Sequence, residues 1–359
     1  MLCSLEELPP EMAASVSPEE KSHIAKIKHR GLLPFAVTPH FASLALPEKD
    51  DPIRRQFFPD PRETLPDPFA LDDPLGEACH RVAPRLVHQY RNRALLLAAG
   101  TCAGYCRHCF RRVWISRSGT HERSSGAGFQ SMGFKSPEWE AALGYLAAHT
   151  EIAEVLVSGG DPFTLDNDKL GELFSLLRNV RPCIELRLCT RSPITEPSRL
   201  DSETVAMLAA FRPLRLSIHI NHPRELSAQS RAALTSCVEA GLPVKVQTVL
   251  LRGINDDPML LAGLFTECLA LGLLPYYLFQ LDLAPGTAHF RVPLERGLAV
   301  YRELCALIPG PPVYAVDLPG GGGKIALHEN VIAGERTSVK GKEYVLKDGV
   351  GREWHYPVA

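Results

Sequence analysis

Three cysteines pose the first chemical question. Cys102, Cys106 and Cys109 stand at C-x3-C-x2-C inside the stretch 100–112. Three closely spaced thiolates can hold a metal ion or an iron–sulfur cluster. A [4Fe–4S] cluster usually takes four cysteines, so three would leave one iron open to a small-molecule ligand. A structural zinc site needs a fourth ligand, and His108, wedged between two of the cysteines, is badly placed to supply it. A zinc knuckle, or three unrelated buried thiols, is the competing reading of the spacing.

The second informative stretch, 317–324, reads Asp-Leu-Pro-Gly-Gly-Gly-Gly-Lys. Four glycines before a lysine suggest a phosphate loop. The Walker pattern fails, because it requires Gly at position 318 and Ser or Thr at 325, where the chain has Leu318 and Ile325. A lysine on a permissive loop at a site mouth can instead form a Schiff base; without the cysteines, a solvated lysine in a turn would be the better reading. Other polar groups follow apolar runs: Gly159, Gly160 and Asp161, then Arg191, then His219 and His222, then Asp282. Glycines let backbone approach a ligand closely, and a neighbouring carboxylate can take an ammonium group. A Gly-Gly pair alone is usually only a turn, and the two histidines read as ordinary hydrogen-bonding residues, not metal ligands.

These groups need elements to hold them at one place. Apolar runs predict strands at 93–99, 154–158, 184–188, 214–219, 244–249 and 276–281, with one more short strand at 312–316. Helical stretches such as 138–148 and 201–210 lie between them. Strands alternating with helices imply βαβ units and a parallel sheet. Six such units with polar residues at the strand ends fit a barrel or part-barrel, where sites sit at the C-terminal ends of the strands; a doubly wound open sheet is the alternative. Residues 116–136, rich in Ser and Gly, read as an exposed loop or lid. Residues 1–87 read as a helical and Pro-rich cover packed on the main domain, with a helix from Pro18 to Lys28 capped by Ser17. The barrel is expected over 88–310, and a C-terminal segment over 311–359 carries Lys324.

The 359 residues are 45% apolar, enough for a sizeable core, and the net charge of −2 leaves no global basic footprint for nucleic acid. No stretch of about 18 apolar residues occurs, so no membrane span is expected. The N-terminus lacks the pattern of a signal peptide. Ten cysteines in such a chain suggest reduced thiols and a cytoplasmic protein.

Taken together these stretches resemble the lysine 2,3-aminomutase family, which are radical S-adenosylmethionine enzymes that also use pyridoxal phosphate. The likeness runs from about His88 to Lys324 and, more weakly, through Ala36-Val-Thr-Pro39 and Asp51-Pro-Ile-Arg-Arg-Gln56. It rests on 90–97, 102–112, 158–162, 219–222, 275–277, 288–290 and above all 317–324. The resemblance implies an α/β fold, a partial (β/α)6-type TIM barrel of the radical S-adenosylmethionine kind. It implies that Cys102, Cys106 and Cys109 hold a [4Fe–4S] cluster. Gly159, Gly160 and Asp161 would take the amino end of S-adenosylmethionine. Lys324 would carry pyridoxal phosphate as a Schiff base, with Arg93 and Arg191 near the phosphate. Arg111 would bind the substrate carboxylate, and Asp282 and Asp317 its distal ammonium. The implied reaction is interconversion of L-lysine and β-lysine by radical 1,2-amino migration, with electrons from a flavodoxin or ferredoxin.

The chain also departs from the family pattern. Zinc-binding members carry a cysteine after Gly-Ile/Val-Asn-Asp and more in a C-terminal tail; this chain has Asp257 at the first position and ends Trp354-His-Tyr-Pro-Val-Ala359. Structural zinc is therefore not expected, and the family's oligomer packing is in doubt, though a homo-oligomer is compatible with the resemblance. One phosphate-side arginine is replaced by Gln89. The chain is short for a free-lysine enzyme, and a sister group that modifies a lysine of elongation factor P shares the 90–97 pattern. Another cationic amino acid as substrate, or a non-catalytic iron–sulfur or zinc protein, are the remaining alternatives.

Overall fold

The computed structural model describes all residues except 30–31, 117–133, 329 and 359. The body of the Ser/Gly-rich stretch, 117–133, thus lies outside the described residues. One ten-stranded sheet runs in sequence order: β1 (Arg81–Ala83), β2 (Leu86–Tyr90), β3 (Arg93–Ala99), β4 (Glu154–Gly159), β5 (Glu185–Thr190), β6 (Leu214–His219), β7 (Val244–Val249), β8 (Leu274–Phe279), β9 (Val313–Leu318) and β10 (Gly323–Ala326). Strands β3 to β9 are parallel; β1, β2 and β10 join antiparallel at the edges. Helices Pro137–Ala148, Asn167–Val180, Ser202–Ala210, Ala228–Glu239, Pro258–Ala270 and Leu294–Leu307 each follow one of β3 to β8. The fold is α/β, a part-barrel of six βα units with β9 as a seventh parallel strand.

The reason is local. The central strands carry Leu and Val on the face turned to the helices, and Leu96, Val157, Leu186, Leu216, Val246 and Leu278 are fully buried. Four of the six returning helices start on a side chain that satisfies a free backbone N–H. Asp166 caps onto Lys169, Asp201 onto Thr204, Ser227 onto Ser230 and Asp257 onto Leu260. Asp257 is thus a helix cap.

The sheet is open between β1 and β10, and the gap is bridged by side chains. Gln89 Nε2 donates to Gly321 O at 3.1 Å, and Lys324 N donates to the Tyr90 hydroxyl at 2.9 Å. Residues ahead of β1 lie over the same end. Their first long helix, Pro18–His29, has a reciprocal cap: Glu20 N donates to Ser17 Oγ, and Ser17 N to Glu20 Oε2. Glu20 also pairs with the buried Arg54 at 2.9 Å. A separate antiparallel sheet, β11 (Ile332–Ser338), β12 (Gly341–Lys347) and β13 (Glu353–Pro357), closes the chain. It docks through the Tyr356 hydroxyl, which donates to Leu281 O at 2.7 Å just past β8. Among the described residues no helix is long and apolar enough to cross a membrane.

Candidate active site

The cysteine loop leaves the C-terminal end of β3 and is gripped from the cover. Tyr105 N donates to Ala36 O at 2.9 Å and Arg107 N to Gln56 O at 2.8 Å. Glu63, fully buried, receives two arginines of the loop. Arg107 donates through Nε at 2.8 Å and Nη2 at 2.5 Å, and Arg112 through Nη2 at 2.5 Å. Burial pushes the Glu63 carboxyl up, but the two guanidiniums outweigh it and hold it down at about 2. The three thiols are half-buried on one loop of eight residues. Burial pushes Cys102 well up and Cys109 up to about 12, and neighbouring thiols push each further. Three thiolates are costly together without a positive centre among them, and a cluster supplies that centre. The donor set fits an iron–sulfur cluster. His108 is not part of it: its Nε2 lies 3.2 Å from Asn221 Nδ2, and burial pulls its basicity well below the usual range.

Gly159 and Gly160 serve close packing of β4 on β3. A Cβ on Gly160 would stand 2.0 Å from Thr101 O, and one on Gly159 2.2 Å from Ala99 O, with φ at +118°. The backbone there is locked, since Gly160 N donates to Ala99 O at 2.7 Å and Asp161 N to Thr101 O at 2.9 Å. Asp161 accepts from the Thr190 hydroxyl at 2.8 Å and from Arg191 N at 2.8 Å, tying the end of β4 to the end of β5. Burial pushes its carboxyl up against those hydrogen bonds.

The lysine lies on a strand, not on the loop that the glycine run suggested. Residues 319–322 form the turn of the β9–β10 hairpin, and Lys324 pairs directly across from Asp317. Lys324 Nζ sits 2.5 Å from Asp317 Oδ2, 3.9 Å from the ring centre of Phe279 and 5.2 Å from that of Tyr277. Asp282 is next to this pair. Burial and the Asp317 charge push its carboxyl well above the usual range, against the pull of Lys324 and Arg111. An amine held between a carboxylate and two aromatic rings, just past a glycine turn, fits the Schiff-base chemistry of pyridoxal phosphate.

The structure brings Lys324, Asp317, Asp282 and Arg111 into one group. It does not bring Arg93 and Arg191 together. Arg93 lies 4.0 Å over the ring of Tyr90, whose hydroxyl accepts from Lys324 N. Arg191 is committed elsewhere: Nη1 lies 2.9 Å from Cys106 Sγ, and Nη2 donates to Gln56 Oε1 at 2.5 Å and pairs with Glu225 at 3.1 Å. His219 is half-buried, and desolvation and Arg191 pull it down to about 4, so it is neutral near pH 7. His222 Nδ1 accepts from Arg224 N and caps a short turn. His222 is structural in kind, whereas His219 lies within electrostatic reach of Arg191, Arg111 and Lys324.

Three residues of this site escape sequence reasoning: Gln56, Glu63 and Glu77. Gln56 bridges Arg191, Glu225 and Asn221. Glu77 forks onto Arg111, with Nη2 at 2.6 Å and Nε at 3.0 and 3.1 Å from its oxygens. The one available signal was the weak upstream likeness over 51–56, which ends on Gln56.

No family model matches the chain. Among curated proteins it is 43% identical over 308 residues to a Treponema pallidum protein provisionally named L-lysine 2,3-aminomutase, covering 85% of this chain and 83% of that one. It is 34% identical over 304 residues to the L-lysine 2,3-aminomutase of Clostridium subterminale, 84% of this chain and 70% of that one. It is also 33% identical over 335 residues to the glutamate 2,3-aminomutase of Clostridioides difficile, 92% of this chain and 75% of that one. A solved radical SAM methyltransferase from Sphaerobacter thermophilus is 16% identical with a TM-score of 0.38 over 64% of this chain and 68% of that one, too loose a match to argue from. Identity of this level over most of both chains makes this chain a member of the lysine 2,3-aminomutase family.

Proposed function

We propose that this chain is an L-lysine 2,3-aminomutase that interconverts L-lysine and β-lysine. One observation carries the reading. Asp317 already takes an alkylammonium group, Lys324 Nζ, at 2.5 Å, with Asp282 beside it and Arg111 in the same group. An amino acid with a cationic tail complements both ends, its carboxylate facing a guanidinium and its distal ammonium facing two carboxylates. L-Glutamate would set a third carboxylate against Asp282 and Asp317.

The roles follow from chemistry and position. Cys102, Cys106 and Cys109 would hold a [4Fe–4S] cluster, with Arg191 fixing Cys106 from the side. Backbone at Gly159, Gly160 and Asp161 would border S-adenosylmethionine next to that cluster. Lys324 would hold pyridoxal phosphate, with Arg93 and Tyr90 at its side. Together these groups, when bound, supply a carbon radical that takes and returns hydrogen and a carbonyl that carries the migrating nitrogen. The protein's own work is to bind, orient and shield. To join a carbonyl, Lys324 Nζ must shed a proton, and Asp317 Oδ2 is the group in contact to receive it. Once Asp317 has passed that proton on to water and Nζ is engaged, the Asp317 carboxylate and Asp282 are left for the substrate's ammonium. The Cys loop, clamped by Glu63 and Gln56, keeps water from the reacting carbons.

The test is product analysis with protein prepared without oxygen. L-Lysine should give β-lysine and L-glutamate no product. Borohydride reduction of the pyridoxal phosphate-loaded protein should fix the pyridoxyl group on the peptide holding Lys324. Trapping at another lysine removes that assignment. Inert free lysine, with elongation factor P modified instead, transfers the reaction to a protein substrate.

A further inference from the structure

Glu77 belongs to no motif and comes from the segment before β1, yet it makes the best-formed contact of Arg111. Resting on the lysine reading above, we infer that Glu77 is a positioning residue. It grips one edge of the Arg111 guanidinium and thereby presents the other edge to the substrate carboxylate.

The donor count supports this. A guanidinium has five N–H donors. Glu77 takes the single one on Nε and one on Nη2, and Ser158 Oγ lies 3.3 Å from Nη1. That leaves one N–H on each terminal nitrogen, the pair that meets a carboxylate in a two-point fork. Arg111 and Glu77 are only 13% and 12% exposed, so the pair is held out of bulk water.

Glu77 is itself held firmly. Its backbone N donates to Asp73 Oδ1 at 3.0 Å, and Ala78 N to Asp73 Oδ2 at 2.8 Å. Gly76, at φ +64°, lies flat on the glycine run: a Cβ there would stand 2.7 Å from the backbone of Gly320 and Gly321. Gly320 N donates to Pro74 O at 2.9 Å. The glycines before Lys324 are therefore also the floor on which the Glu77 segment docks. One piece of backbone sets the height of both Lys324 and Glu77, and through Glu77 that of Arg111.

The test separates positioning from mere anchoring. Radiolabelled L-lysine is dialysed to equilibrium against pyridoxal phosphate-loaded protein without S-adenosylmethionine, so that nothing turns over. 1,5-Diaminopentane, which lacks the carboxylate, is the competitor. Wild type should prefer lysine over the diamine. Glu77→Gln should lose about tenfold or more in lysine affinity, as expected for a charge-assisted contact, and little for the diamine. Glu77→Asp should restore part of the preference. In turnover the loss should fall on KM more than on kcat. An unchanged lysine-to-diamine ratio in Glu77→Gln, even with a lowered Tm, overturns the inference and leaves the proposed function standing. Tighter lysine binding also overturns it, because Glu77 would then compete with the substrate. A wild type that neither binds nor converts lysine refutes the function itself.

Discussion

Replacing Glu63 by Gln should loosen the cysteine loop from a distance, and the size of the effect can be worked out. Arg107 and Arg112 hold the Glu63 carboxyl at about 2, from an ordinary value of 4.5. A gap of about 2.5 pH units corresponds to roughly 3 kcal/mol at neutral pH. A second route agrees, since removing one partner of a buried ion pair costs about 3–5 kcal/mol. The Gln variant keeps the shape but leaves two guanidiniums facing a neutral group. With an unfolding entropy of about 2.1 cal/mol/K per residue, the Tm should fall by roughly 4–5 °C if the chain unfolds as one unit. The pH dependence has a definite sign. Glu63 is depressed in the folded state, so its contribution is complete above 4.5 and fades as pH falls from 4.5 towards 2. Scanning calorimetry of both proteins at pH 7, 5 and 4, and lower while the wild type stays folded, should show the gap narrowing only below about 4.5. The variant should also retain less iron after reconstitution, because Arg107 sits between two of the cysteines. A gap under about 1 °C at pH 7, or one independent of pH, would refute the clamp.

Two further outcomes follow from the site. Asp282 is raised in the folded state, so its contribution is complete below its unfolded value of 3.8 and is lost as pH rises through its elevated pKa. Asp282→Asn should therefore melt above wild type at pH 8, with the difference shrinking in acid, while lysine turnover drops by about a hundredfold or more; a variant less stable than wild type at pH 8 contradicts this. Cys106→Ala should abolish the binding of about four irons per chain in protein reconstituted without oxygen, whereas stoichiometric zinc and no iron in the wild type would remove the cluster reading.

The parallel strands were legible because each is short and flanked by turn residues, either a near-continuous apolar run as in β3 or an alternation of buried and half-buried residues as in β7. The runs 214–219 and 244–249 match β6 and β7 residue for residue. The prediction of 276–281 slips by two against β8, which ends at Phe279. Gln280, though preceded by aromatic residues, turns its amide to Val292 O and the Tyr356 hydroxyl. Strands β1, β2 and the β11–β13 sheet went unread. They are short or polar: β11 reads Ile-Ala-Gly-Glu-Arg-Thr-Ser, with most of its residues exposed. Strand β10 was hidden by the glycines before it, which read as loop although Gly323 and Lys324 already pair across to β9.

The site divides along a different line. Cys102, Cys106, Cys109 and Lys324 announce themselves because their chemistry is rare and their spacing is local. Glu63 and Glu77 are invisible for the opposite reason. Each is an ordinary glutamate in a Pro-rich stretch, where a solvated carboxylate is the default reading, and each meets its arginine only after the cover has docked. Glu63 lies 44 and 49 residues from its partners, and Glu77 lies 34 from Arg111. Their burial in turn explains why the cover is more than packaging. A carboxylate drawn out of water needs its guanidinium, and the guanidiniums of the cysteine loop need those carboxylates equally. Loop and cover therefore order together: a chain lacking 61–80 would leave Arg107, Arg111 and Arg112 as uncompensated charges beside the very thiols that must accept a cluster.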